Sequence, residues 1–330
     1  MIPGGCCIVL PAVPQRRMCI MHSFKPVLYM VTAAFLFCFT EIALKILNGS
    51  LNALELNFSR YFLAGALLLP VGLSELRRRQ KKLTWGHFGW FQFLGLIGIT
   101  LVGPFYQLAA GRLQANITSI LFSLNPMCIA LLAWLILREP LSRHQAAGLF
   151  LGMLSMLVLL NPFHMTLDPA GLLLLFLAVA GYSLYAVIGR KLIGELGSVL
   201  VTAGSFLCGG IQLFLLALLT HVPAVAAFLR QAGLPQFAAV SLFGGYSLDI
   251  LGWVIVLYFG VTLGAYLCWF KAMEHGSTFL GSLTYFVKPA VSPFMAWIFL
   301  GEVVTARIAA GIVLLLVSAA VSLKKDKAGA

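Results

Sequence analysis

Lys288 lies in the middle of TYFVKPAVSPFMAW, the run from Thr284 to Trp297, with no acidic residue within a helical turn on either side. Two earlier apolar runs hold four more charges, Glu41 and Lys45 in the first and Glu55 and Arg60 in the second. A charge at the centre of an apolar span costs about 2.5–3.5 kcal/mol on insertion scales, so such residues face a partner or a wet cavity. Asn125 and Lys288 each precede a proline, Pro126 and Pro289. The ring of a proline removes one helical hydrogen bond and frees a carbonyl upstream, and helices interrupted in this way are tolerated where they line a cavity. Polar aromatics gather at similar depth in their runs: Tyr106 with Gln107, Tyr182 with Tyr185, then Tyr258, Tyr266, Trp269 and Tyr285. Of these, Tyr182, Tyr258 and Tyr285 are placed deep enough for a cavity wall. The chemistry open to this set is recognition of charge, with an ammonium or guanidinium attracting an anion, or proton exchange at a free Glu41.

Hydrolysis is not among the options. There is no H-E-x-x-H and no G-x-S-x-G. The three aspartates, Asp168, Asp249 and Asp326, fall in loops or the tail, and the seven cysteines show no metal-ligand spacing. The sequence therefore predicts no catalytic residue, no metal and no cofactor. The charges themselves allow two arrangements. Counted from a hairpin centre near Ser50, Glu41 and Arg60 are nine and ten residues out, and Lys45 and Glu55 five each. In an antiparallel helix pair those positions are level, so two ion pairs would neutralise all four; alternatively Glu41 is free for coupling. Lys288 either lines a cavity or pairs with a distant acid such as Glu41.

The elements that must position these residues follow from composition. Of 330 residues, 61% are hydrophobic and 10% charged, against about a quarter charged in soluble domains. The chain is thus expected to be an all-α integral membrane protein. Apolar stretches of about 20 residues place ten spans near 26–47, 53–73, 86–109, 115–137, 144–161, 170–189, 199–220, 250–270, 278–300 and 305–323. The net charge of +12 is spread over short loops rather than gathered on one face, which argues against nucleic acid. Instead it reports topology. Arg16, Arg17, Lys25, Arg77–Arg79, Lys81, Lys82, Arg138, Arg143, Arg190, Lys191, Lys271, Lys324, Lys325 and Lys327 share one side, and only Arg112, Arg230 and Arg307 flank the other. By the positive-inside rule both termini are cytoplasmic and the protein is multi-pass in the cell (cytoplasmic or inner) membrane. Residues 1–23 make a poor signal peptide and are expected to be a disordered extension, with Met1, Met18 and Met21 all open as starts. Residues 324–330 form a cytoplasmic tail.

The chain also repeats itself. At a fixed offset of 163, Pro126 matches Pro289, Trp134 matches Trp297, Glu139 matches Glu302, Gly148 matches Gly311 and Ser155 matches Ser318, without a gap. Two five-span repeats, 24–161 (TM1–TM5) and 169–323 (TM6–TM10), have an odd number of crossings each, so the second enters from the opposite side. Inverted repeats about an axis in the membrane plane are the recurrent plan of secondary transporters. Under that symmetry Asn125 and Lys288 are mates, and Glu139 and Glu302 at span ends read as structural.

NFSRYFLAGALLLP, NPMCIALLAWLILREPLSRHQAAGLFLGMLSMLVLL and KPAVSPFMAWIFLGEVVTARIAAGIVLLLVSAAVSL resemble the EamA type of the drug/metabolite transporter (DMT) superfamily. There a Pro, then a Glu about 13 residues on, then a Gly about nine further recur in each half. The resemblance implies ten helices around a central midplane cavity, with alternating access and usually export or exchange. Members handle amino acids, drugs, nucleotide sugars and other metabolites, so it does not name the substrate. It also implies a coupling option, because small multidrug resistance proteins of the superfamily use a membrane glutamate in their first helix, where Glu41 stands. The membrane charges sum to a positive value, which favours an amino acid or organic anion. If Glu41 is free and Lys288 uncharged, proton-coupled efflux of cationic drugs is the alternative. The expected partners are a small-molecule substrate and the lipid bilayer, with a homodimer left open.

Overall fold

The computed structural model describes residues 24–47, 50–113, 118, 121–160, 168–300 and 306–322, and every regular element in them is helical. Helices α1 (Lys25–Leu47) and α2 (Ala53–Arg78) form the first hairpin. A third rod runs through α3 (Trp85–Gly95), a π-helical turn (Leu96–Leu101) and α4 (Val102–Arg112). Next come α5 (Asn125–Leu132) with a second π-helical turn (Ala133–Leu137), α6 (Arg143–Leu160), α7 (Pro169–Leu196) and α8 (Ser198–Leu219). After the short α9 (Pro223–Gln231), another rod is built from α10 (Leu248–Ile255), a π-helical segment (Val256–Ala265) and α11 (Tyr266–His275). The chain continues in α12 (Thr278–Ser282), α13 (Thr284–Leu300) and α14 (Ala306–Ser322).

Six helical stretches are long and apolar enough to cross a membrane: Lys25–Leu44, Ala53–Arg78, Trp85–Ala109, Pro169–Leu196, Ser198–Leu219 and Leu248–His275. The remaining expected spans do not appear as unbroken helices of that kind. Those at 115–137, 144–161 and 305–323 run into positions outside the described residues, and the one at 278–300 is interrupted at Leu283. The N-terminal extension and the tail also lie outside the described residues.

Local sequence explains where the long helices begin and end. Asn52 caps α2 by accepting from the Leu54 N–H at 2.9 Å, and Glu55 in the first turn with Arg77 and Arg78 in the last complements the helix dipole. Asp168 caps α7, accepting from the N–H groups of Ala170 and Gly171, and Pro169 occupies the first helical position, where no N–H is needed. The π-helical turn at Leu96–Leu101 ends three residues before Pro104, which has no N–H to offer the Thr100 carbonyl.

Small residues let these helices approach closely, as they commonly do in membranes. In the α2–α8 pair Gly72 meets Leu200, Gly65 meets Leu207 and Gly210 meets Phe62, an antiparallel register in which a Cβ on Gly65 would lie 2.7 Å from the Leu207 nitrogen. The α6–α14 pair is antiparallel too. Ser155 donates to the Gly311 carbonyl at 2.7 Å and Ser318 donates to the Gly148 carbonyl at 2.6 Å. These four residues are two of the offset-163 matches, each bonded to the mate of the other's partner.

Arg79 marks one end of the bundle, where it holds Glu75 at 2.7 Å and Glu274 at 2.6 Å while the Ser198 N–H donates to the second oxygen of Glu274. At the same end His87 meets Glu195, and Glu139 accepts from Thr278 with Arg190 at 3.9 Å. We call this the basic end. The opposite end carries Arg112 against Asp168 and the Tyr246–Tyr258–Ser59 hydroxyl chain.

Candidate functional site

Between the helices lies a cavity of about 100 Å³, room for several waters. Phe37, Thr40 and Leu44 of α1 and Asn57, Arg60 and Tyr61 of α2 line it, as do Gly98, Gly103 and Gln107 of the third rod. Val102, Tyr106 and Phe122, Tyr182 of α7, Val261, Tyr266 of α11, and Tyr285 and Lys288 of α13 complete the wall. Gly98 and Val261 belong to π-helical segments, which recur at functional sites because they widen the backbone. Asn57, Arg60 and Gln107 come from the helix halves away from the basic end, and Tyr182, Tyr266 and Tyr285 form the floor near mid-helix. Beneath that floor Tyr185, Trp269 and Phe270 are fully buried. The Trp269 ring stacks on Tyr185 with centroids 6.1 Å apart, packs 4.8 Å from Phe270, and donates its N–H to the Gly281 carbonyl at 3.0 Å. The cavity is therefore sealed toward the basic end.

Among the described residues, the charged side chains that line it are Arg60 and Lys288. The Arg60 guanidinium lies 4.6 Å over the Tyr61 ring and donates to the Tyr61 hydroxyl at 3.2 Å. Such stacking orients the guanidinium without neutralising it. The Tyr61 hydroxyl is in turn 3.2 Å from that of Tyr266. Lys288 is 9% exposed, and its carbonyl accepts from the Cys38 thiol, which fixes α13 against α1.

The residues singled out from the sequence divide into three groups. Lys288, Tyr182, Tyr285 and Arg60 come together at the cavity, with Tyr106, Gln107 and Tyr266. Tyr258 and Asn125 do not line it: Tyr258 bonds Ser59 and Tyr246 above it, and Asn125 is spent internally, donating to the Phe122 carbonyl at 2.6 Å and accepting from Ser183 at 3.0 Å. The side chains of Glu41 and Lys45 lie outside the described residues, and with them the two level ion pairs. Glu55 is 1% exposed with one carboxylate oxygen unpartnered, in the helix turn where the dipole favours a negative charge. Pro126 opens α5 after a turn at Ser123–Leu124, so that helix is broken there. In the second half the break falls at Leu283 and α13 is continuous through position 289, because one missing N–H costs the ladder only the bond to the Tyr285 carbonyl. Thr40, Asn57 and Tyr61 were not legible as site residues; the available signal was Asn57, one turn before the charged Arg60.

Comparison with known proteins agrees with this architecture. The profile of the EamA-like transporter family matches the chain twice, at residues 24–161 and 169–324. The chain belongs to the EamA-like transporter family. An EamA relative from Clostridium kluyveri, described as an uncharacterized transporter, is 22% identical over 92% of this chain and 94% of its own. Protein PecM of Dickeya dadantii is 26% identical over 65% of this chain and 67% of its own. A crystal structure of a protein 20% identical to this EamA chain superposes with a TM-score of 0.69, covering 90% of this chain and 96% of that one. The EamA chain is thus a DMT-superfamily transporter with transmembrane helices, and it shares its fold with a solved structure.

Proposed function

We propose that this protein is a secondary transporter which moves a small organic anion, or another metabolite recognised through a carboxylate, by alternating access around the Arg60–Lys288 cavity. The observation that carries the reading is the guanidinium of Arg60 facing a cavity whose wall combines several aromatic rings with the amides of Asn57 and Gln107. The Arg60 guanidinium, stacked on Tyr61, offers the planar fork that matches a carboxylate. The aromatic rings cover the remainder of the substrate, as ligand sites combine apolar walls with a few placed polar groups. Ten helices in two inverted five-helix repeats are the architecture we propose. The reciprocal Ser155–Gly311 and Ser318–Gly148 bonds support it, since a two-fold axis relating the repeats would generate one from the other.

In this reading the described conformation is the outward-facing one. The cavity lies away from the basic end, the positive-inside rule puts that end in the cytoplasm, and the Tyr185–Trp269–Phe270 layer closes it. The inward-facing state would break the Arg79–Glu274 and Glu139–Thr278 ties and close the Asn57–Gln107 side. The experiment is a thermal-shift screen of purified protein against organic acids, amino acids and lipophilic cations. Stabilisation by acids, lost in Lys288→Met, is the expected result; a ligand at 100 times its Kd adds about 2.7 kcal/mol. Stabilisation by lipophilic cations alone would replace this reading with efflux of cationic compounds.

A further inference from the structure

Unmet hydrogen-bonding capacity is concentrated in the wall of this cavity. Ten buried side-chain polar atoms among the described residues lack a hydrogen-bond partner, and five of them belong to four lining residues: Thr40 Oγ1, Asn57 Oδ1 and Nδ2, Arg60 Nε and Gln107 Oε1. Buried polar groups are almost always satisfied, so such a concentration around one space calls for an explanation.

Asn57 is the centre of the set. It is 1% exposed, and both ends of its amide are unpartnered, so the finding holds whichever way the amide is turned. Its Nδ2 lies beside Gly103 of α4, 3.4 Å from where a Cβ would stand. Gln107 follows Gly103 by one turn on α4, and Thr40 comes from α1. The group that answers these residues follows from counting donors and acceptors. Three oxygens are unanswered, on Asn57, Gln107 and Thr40, together with N–H groups on Asn57 Nδ2 and Arg60 Nε. An ammonium only donates and leaves the N–H groups unmet, whereas a carboxylate only accepts and leaves the oxygens unmet. A hydroxyl has a single hydrogen to give to three oxygens. A primary carboxamide donates two N–H bonds and accepts at its oxygen. Its edge also pairs with a side-chain amide through two hydrogen bonds, as Asn and Gln pair with the donor–acceptor edge of adenine.

We propose that Asn57, with Gln107 and Thr40, forms an uncharged subsite for a primary carboxamide of the substrate. The inference rests on this cavity being the substrate site and adds a second point of recognition to it, independent of the charge of the cargo. Sites built around buried hydrogen-bonding groups discriminate strongly against analogues that lack the matching group. Exchanging the carboxamide nitrogen for a methyl group is therefore the sharp comparison, because it keeps the shape and removes the donor.

Calorimetric titration of the purified full-length protein tests it with two matched pairs, p-toluamide against p-methylacetophenone and p-carbamoylphenylacetate against p-acetylphenylacetate. We expect each amide to bind at least tenfold tighter than its ketone. Asn57→Leu should bring that ratio close to one while leaving the ketones nearly unchanged. Gln107→Met is the second variant, expected to shrink the ratio in the same direction, and serves if Asn57→Leu melts early. Equal affinity of amide and ketone for the unmodified protein overturns the subsite, as does an undiminished ratio in whichever variant folds. So does tighter binding of p-methylbenzylammonium than of p-toluamide, or absence of binding by all five compounds. The carboxylate reading fails separately, if p-carbamoylphenylacetate binds no tighter than p-toluamide; a tenfold preference for amide over ketone would then still establish the subsite.

Discussion

Arg60 and Lys288 reach the cavity from α2 and α13, and each is held differently. The Arg60 guanidinium rests on Tyr61 and is fixed in plane by it, whereas the Lys288 ammonium is a compact charge on a flexible stem. Lys288→Met keeps most of the side-chain length and removes the charge. Its melting temperature should stay near that of the unmodified protein or rise slightly, because inserting an apolar residue is cheaper, while transport in proteoliposomes falls at least tenfold. Lys288→Arg should retain part of the activity, since a guanidinium preserves charge but not shape. Normal transport by the Met variant, or a loss matching lost folded protein, would remove Lys288 from the site. Tyr61→Phe deletes the hydroxyl that links Arg60 to Tyr266. It should weaken acid binding by a smaller factor than Lys288→Met, read in the same titration.

At the scale of elements, glycine and serine contacts set how closely the helices pack. Gly65 has no room for a side chain against Leu207; Gly65→Leu should destabilise the α2–α8 pair by about 1–3 kcal/mol, the usual cost of overpacking. A fluorescence melt in detergent measures it, with Gly89→Leu, which has nothing near its Cβ position, as the control expected to melt normally. The ties at the basic end are of another kind. Arg79 is a third exposed, so its ion pairs contribute about 1 kcal/mol or less, yet they join the ends of α2, α8 and α11. Glu274→Gln should speed hydrogen exchange in the first turn of α8, where the Ser198 N–H loses its charged acceptor. Exchange at the α6–α14 contact should be unchanged, and hydrogen-exchange mass spectrometry resolves the two regions.

The whole molecule presents a cavity on one side and a sealed, arginine-rich face on the other. If that face is cytoplasmic, a cysteine replacing Arg79 stays shielded from an impermeant reagent applied to intact cells, whereas one replacing Gly233 beyond α9 reacts. Labelling in the reverse pattern would invert the assignment and turn the outward-facing reading into an inward-facing one. The one-sided cavity also gives the proposed alternating access a mechanical outline. The same α2 that contributes Asn57 and Arg60 to the site ends at the Arg79 tie, so on the proposed reading occupancy of the cavity and closure of the basic end act on one helix.

The helical membrane character and the doubled family pattern were legible in the sequence, because hydropathy and repeat spacing are local, additive properties of a chain. Lys288 was conspicuous for a similar reason: its insertion cost depends only on its apolar neighbours in sequence. Which tyrosines and amides meet it was not legible. A helix that is apolar all round carries no periodic signal for the face turned to a cavity, so Tyr258 and Asn125 looked equivalent to Tyr182 and Tyr285. Packing alone separates them. It turns Tyr258 toward Ser59 and Tyr246 and Asn125 toward Ser183, moves the second helix break to Leu283, and brings Asn57, Arg60 and Gln107 beside Lys288. Composition and order of the residues determined that a buried cation must be answered; the rotation of each helix about its own axis, set by its neighbours, decided by what.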